Sequence, residues 1–200
     1  MQIVKSNYYK NNFTVRKMVI AAMFSSISIF LGITRLGFIN IPPVSATIMH
    51  IPVIIAAIIE GPIVGAIVGF IFGVFSMYQA ITTPTITSFI FLNPIIAILP
   101  RVLIGFTSYY AYAFLSKGYN RLGISMGAII GTASNTFLVL SITYLFYANR
   151  LATVFKIDPS TVGKFLAGIG VTNGIPEILI STLITLPVVL AIQKIKKQKI

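Results

Sequence analysis

The sequence predicts an all-α membrane protein of six transmembrane helices with both termini on the cytoplasmic side. Three observations carry this: the composition, the recurrence of apolar runs, and the placement of the basic residues. Of 200 residues, 56% are hydrophobic and only 9% are charged, whereas a soluble domain carries roughly a quarter charged residues. Apolar runs approaching the roughly 20 residues that cross a bilayer follow one another along the chain. They leave no length for a soluble unit, so residues 1–200 are expected to form one transmembrane domain.

The composition also excludes functions. There is no cysteine, one histidine and three acids, Glu60, Asp158 and Glu177. Disulfide and thiolate chemistry are ruled out, and the stock is too poor for a metal site or for acid–base catalysis. No catalytic residue, metal ligand or cofactor is therefore expected. The net charge of +12 does not point to nucleic acid. The basic residues cluster at Lys5 to Lys17 and Lys194 to Lys199, where they flank apolar segments and fit the cytoplasmic bias of Lys and Arg. No Gly-x-x-x-x-Gly-Lys-Ser/Thr motif occurs, so the chain has no ATP-hydrolysing loop of its own.

The first helix is expected over 15–34, entered from Arg16-Lys17. No small-residue cleavage signal follows it, so it reads as a retained helix rather than a signal peptide. Residues 35–47 carry Gly37, Asn40 and the pair Pro42-Pro43. Consecutive prolines remove two backbone donors and force an extended chain, so this is a structured loop. The apolar run after it is too long for one span and is broken at Glu60-Gly61-Pro62, giving helices over 48–60 and 62–80. In the second of these Gly65, Gly69 and Gly73 repeat every fourth residue, which puts them on one face and permits close approach of a neighbour. A fourth helix over 89–115 carries Pro94 and Pro100 as expected kinks. The fifth is expected over 122–147 and the sixth over 173–193, with a polar loop over 149–164 in which Asp158-Pro159-Ser160 starts a short surface helix. Six spans put both ends on one side. That side holds ten basic residues (Lys5, Lys10, Arg16, Lys17, Lys117, Arg121, Lys194, Lys196, Lys197 and Lys199) against four opposite (Arg35, Arg150, Lys156 and Lys164), which makes it cytoplasmic.

Arg101 is the anomaly in this scheme. It lies about 12 residues into the fourth helix, some 18 Å deep at 1.5 Å per residue, where an isolated charge costs at least a few kcal/mol. The topology gathers the other polar groups near it. Gln79, His50, Asn93, Asn135, Asn173 and Glu177 all fall in the outer half, which suggests an outward-opening polar pocket. Each also has a plain structural reading. Arg101 and Glu177 are open to pairing as a bridge between helices; Asn135 and His50 are open to serving as interhelical contacts, and Gln79 and Asn93 as helix caps. On the inner half of the first helix, Ala21/Ser25 and Ala22/Ser26 are pairs of small residues spaced by four, a flat strip for another helix.

Six helices in 200 residues, the long first outer loop and this strip together resemble the substrate-binding S component of an energy-coupling factor (ECF) transporter. The runs Arg35–Ile39, Ala46–Pro52 and Glu60-Gly61-Pro62, with Leu99-Pro100-Arg101 and Asn173-Gly174-Ile175-Pro176-Glu177, are most similar to the pantothenate-type branch. The resemblance implies a vitamin-binding subunit of the prokaryotic plasma membrane, without catalysis of its own. Its loop 35–47 would cap the pocket, and its strip, Ala21/Ser25 or Ala22/Ser26, would meet a transmembrane coupling subunit that works with two ATPases. The subunit would topple in the lipid to deliver its ligand. Pantothenate offers a carboxylate for Arg101 to grip bidentately, while Asn135, Asn93 and Gln79 would serve its amide and hydroxyls and Glu177 would accept from a hydroxyl or orient Arg101. Another vitamin of the same family (riboflavin, folate or a pyrimidine precursor) and a stand-alone secondary transporter are the alternatives.

Overall fold

A computed structural model describes residues 15–39, 46–116 and 118–198. Helix α1 covers Val15–Ile33, α2 Ile51–Glu60, α3 Pro62–Thr82, α4 Ser88–Phe91, α5 Pro94–Ser116, α6 Asn120–Phe155 and α7 Val162–Gln198. Between α1 and α2 the strands β1 (Phe38–Ile39) and β2 (Ala46–Thr47) pair antiparallel, Phe38 opposite Thr47. Pro42 and Pro43 of the expected capping loop lie outside the described residues.

Among the described residues, five helices are long and apolar enough to cross a bilayer: α1, α3, α5, α6 and the segment Pro159–Lys196. The second expected span forms as a helix of only 10 residues, about 15 Å and half of a hydrocarbon core. Its sequence is apolar all round, and Ile51 to Ile58 are all buried. A helix without a polar face belongs in an interior. Helix α2 accordingly sits against α1, α3, α5, α6 and α7 at the centre of the bundle, and its Val53, Ile54 and Ala56 are completely buried.

Other boundaries moved for identifiable reasons. The expected helix over 89–115 is two helices. The Asn93 side chain accepts from the N–H of Ile95 at 3.0 Å, and Pro94 takes the first helical position, where its missing N–H and fixed φ are suited to a helix start. Pro94 therefore begins α5 instead of kinking a longer helix. The expected loop 149–164 is mostly helical, since α6 continues to Phe155 and α7 begins at Val162. Its polar residues made it resemble a loop, but hydropathy reports the bilayer, and at 36 and 37 residues these helices reach beyond it, each about 54 Å long. Lys156 closes α6 at a left-handed φ of 54°. Asp158 then caps the single 3-10 turn Pro159–Thr161 by accepting from the Ser160 N–H at 2.8 Å and its hydroxyl at 2.6 Å. These bonds hold the Asp158 carboxyl below the usual aspartate range.

At the end of α2 remote from His50, Glu60 accepts from Arg16 of α1 at 3.2 Å and from Lys196 of α7 at 2.7 Å. Nearby, Tyr112 of α5, Asn120 of α6 and Gln193 of α7 form a closed ring of hydrogen bonds. This end of the bundle is thus fastened by charge and amide bonds among α1, α2, α5, α6 and α7.

The glycine face of α3 packs on α5. A Cβ at Gly65 would lie 2.9 Å from Gly105 Cα, one at Gly73 2.7 Å from the Ala97 carbonyl, and one at Gly69 would collide with the carbonyl of Arg101. The stripe brings the two backbones together at the level of Arg101. Gly69→Ala is therefore expected to destabilise the bundle by about 1–3 kcal/mol, read as a lower midpoint in thermal unfolding of the detergent-solubilised protein. Gly168→Ala, where a Cβ meets nothing within 4 Å, should leave the midpoint unchanged.

Candidate functional site

Pro100 prepares the place of Arg101. Its nitrogen carries no hydrogen, so the carbonyl of Ile96, four residues earlier in a buried turn, loses its helical donor. The guanidinium of Arg101 supplies the replacement: Nη1 donates to the Ile96 carbonyl at 2.8 Å. The guanidinium also lies over two rings, with Cζ 5.5 Å from the centroid of Phe72 on α3 and 5.0 Å from that of Phe91 on α4, within the range of cation–π attraction. Arg101 is only 6% exposed, and its buried Nε has no hydrogen-bond partner.

Glu177 does not pair with it. Among the described residues the ion pairs are those on Glu60. The Glu177 carboxylate accepts from the backbone N–H of Thr47 at 2.6 Å and from the Thr136 hydroxyl at 3.2 Å. It therefore links α7 to α6 and to the last residue of β2. Glu177 and His50 nevertheless lie within electrostatic reach of the guanidinium.

His50 stands at the start of α2, completely buried, with Nε2 3.0 Å from the Thr132 hydroxyl of α6 and Nδ1 without a partner. Asn135 lies on α6 between Thr132 and Thr136, 8% exposed, and its Oδ1 has no partner either. Buried polar atoms are almost always hydrogen-bonded. Arg101 Nε, His50 Nδ1 and Asn135 Oδ1, on α5, the start of α2 and α6, are three of the eight such atoms without a hydrogen-bond partner among the described residues. Together they present a cationic donor, an imidazole nitrogen and an amide oxygen, a set suited to a carboxylate carrying hydroxyl or amide groups.

The remaining expected residues are engaged differently. Gln79 donates to the carbonyl of Gly32 at 3.1 Å and ties α3 to α1. Asn93 caps α5. Asn173 is buried on α7, one turn from Glu177. Thr47, Phe72, Phe91, Thr132 and Thr136 complete the cluster and were not singled out from the sequence. The spacing of Thr132 and Thr136 around Asn135 was the available signal, but threonines in membrane helices ordinarily bond their own backbone. On α1, Ala21 and Ser25 are buried in the bundle, while Ala22 and Ser26 are exposed. A separate apolar groove of about 650 Å³ runs between α6 and α7, lined by Ala133, Leu140, Gly170 and Gly174 among others. It shares Thr136 with the polar cluster but not Arg101, His50 or Asn135.

Comparison with known proteins bears on the family of the chain. The "Pantothenic acid transporter PanT" of Lactococcus lactis subsp. cremoris is 33% identical, the match covering 88% of this chain and 93% of the relative. The "Pantothenate transporter PanT" of Leuconostoc mesenteroides subsp. mesenteroides is 29% identical over 84% of this chain and 88% of the relative. Residues 16–189 match the family model described as "ECF transporter, substrate-specific component", and this multi-helical chain of apolar spans belongs to that family of transporter subunits.

Proposed function

We propose that the protein captures pantothenate outside the cell for uptake by an ECF-type importer, with Arg101 holding the vitamin's carboxylate. The observation that carries this reading is the buried guanidinium, fixed at Nη1 by the Ile96 carbonyl, with its Nε unpartnered and no acid paired to it. An Nε–Nη2 edge offers two parallel N–H groups, the geometry a carboxylate accepts bidentately. His50 Nδ1 and Asn135 Oδ1 stand ready for the amide and hydroxyls, with Asn173 and Glu177 on the neighbouring turn of α7. The names of the two relatives support pantothenate over riboflavin, folate or a pyrimidine precursor.

The same reading gives the protein partners. A transmembrane coupling subunit and two ATPases would supply the energy that this chain lacks. The exposed pair Ala22/Ser26, bordered by Met18, Val19, Met23 and Phe30, is the register open to a coupling helix, because Ala21/Ser25 already face the protein's own interior. The excess of Lys and Arg near the termini favours a cytoplasmic location for both ends, in the plasma membrane.

Equilibrium binding with purified protein tests the ligand. Arg101→Ala should weaken pantothenate at least about thirtyfold. Pantothenol, which has a CH2OH in place of the carboxylate, should bind wild type weakly and be nearly indifferent to the substitution. Equal binding of the two compounds by wild type would remove the carboxylate grip, and tight binding of another vitamin would replace the substrate. For the partner face, Ala22→Trp should abolish co-purification with the coupling subunit while leaving pantothenate affinity intact. A complex that survives Ala22→Trp would move the docking surface elsewhere.

A further inference from the structure

The threonines beside Asn135 point to a role that the binding reading has not used. Thr132 and Thr136 are one turn apart on α6 and share a face. A helical threonine usually turns its hydroxyl back to the carbonyl four residues earlier, as Thr82, Thr153 and Thr182 do here. Thr132 instead meets His50 Nε2 at 3.0 Å. Thr136 divides its hydroxyl between its own helix, the Thr132 carbonyl at 3.3 Å, and Glu177 Oε2 at 3.2 Å. The other oxygen of Glu177 holds the Thr47 N–H at 2.6 Å.

These contacts fall on one short segment. Thr47 to His50 runs from β2 into α2 and is held at every residue: Thr47 by Glu177, the Ile48 N–H by the Gly37 carbonyl at 2.9 Å, the Met49 carbonyl by the Ser28 hydroxyl at 3.1 Å, and His50 by Thr132. One turn of α6 thus fixes both ends of the strap, directly at His50 and through Glu177 at Thr47. Each Glu177 oxygen thus accepts one bond, and the bond to Thr47 holds the strap.

We propose that Thr132 and Thr136 are the positioning residues of the site. Thr132 fixes the orientation of the His50 ring through Nε2, and Thr136 sets the Glu177 carboxylate that anchors Thr47. The affinity arm of its test rests on the pantothenate reading; the exchange arm does not. Thr132→Val and Thr136→Val remove each hydroxyl at nearly constant shape, and Thr132→Ser and Thr136→Ser keep it. In ligand-free protein, hydrogen–deuterium exchange of peptides covering 46–50 should accelerate about tenfold in Thr136→Val and return to the wild-type rate in Thr136→Ser. Pantothenate affinity should fall about tenfold in each valine variant and recover in each serine variant. Unchanged exchange in Thr136→Val overturns the anchoring role. Unchanged affinity in the valine variants, or equal losses in the valine and serine variants, overturns positioning in favour of plain packing. If wild type binds no pantothenate, the substrate reading falls and exchange alone decides the role of Thr136.

Discussion

Inside a membrane bundle, a carbonyl without a donor costs several kcal/mol, and Pro100 creates one at Ile96. The hydrogen bond from Arg101 Nη1 to that carbonyl answers two problems at once. It satisfies the buried oxygen, and it gives the guanidinium a partner that is not an acid. The arrangement also constrains what Arg101 can do. Swinging toward Glu177 would orphan the Ile96 carbonyl again and withdraw the guanidinium from Phe72 and Phe91. The two buried ions therefore remain separate groups with separate partners, each immediately preceded by a proline in its helix, Pro100 and Pro176.

The short helix α2 connects this chemistry to the fold. It is the most buried of the described helices and bears a polar group at each end, His50 toward the site and Glu60 toward the opposite end. Its apolar body packs against the five long helices around it. The close approach of α3 to α5 at Gly69 fixes the height of the Arg101 backbone, and α6 holds the strap that leads into α2. Each long helix thus contributes to the site through packing against α2 or through one hydrogen bond to the segment before it.

Much of this was legible in the sequence because a bilayer forces simple rules. Apolar length gave the helices, and the cost of a buried cation singled out Arg101. The four-residue glycine spacing foretold a tight crossing, although not that its partner would be α5. Other features were hidden for physical reasons. Hydropathy stops at the lipid boundary, so the extensions of α6 and α7 were invisible to it. The isolation of Arg101 from Glu177 depends on a carbonyl freed by Pro100, whereas the sequence left open whether Arg101 holds Glu177 or a ligand carboxylate. Thr132 and Thr136 were concealed because a helical threonine has a ready partner in its own backbone. Glu60 read as a turn residue, and only the packing of α1 and α7 around α2 revealed its two cations.

Those two ion pairs give the molecule unequal ends. Around Glu60 three helices are cross-linked by charge, and the neighbouring amide ring adds α5 and α6. Toward Arg101 the links are hydrogen bonds without an ion pair: Thr136 to Glu177 between α6 and α7, Gln79 to Gly32 between α3 and α1, and the bonds that hold the strap. The Glu60 end is in this sense the clamped root of the bundle. Under the proposed function, a ligand held by Arg101 would enter at the end remote from this root and leave its ion pairs undisturbed.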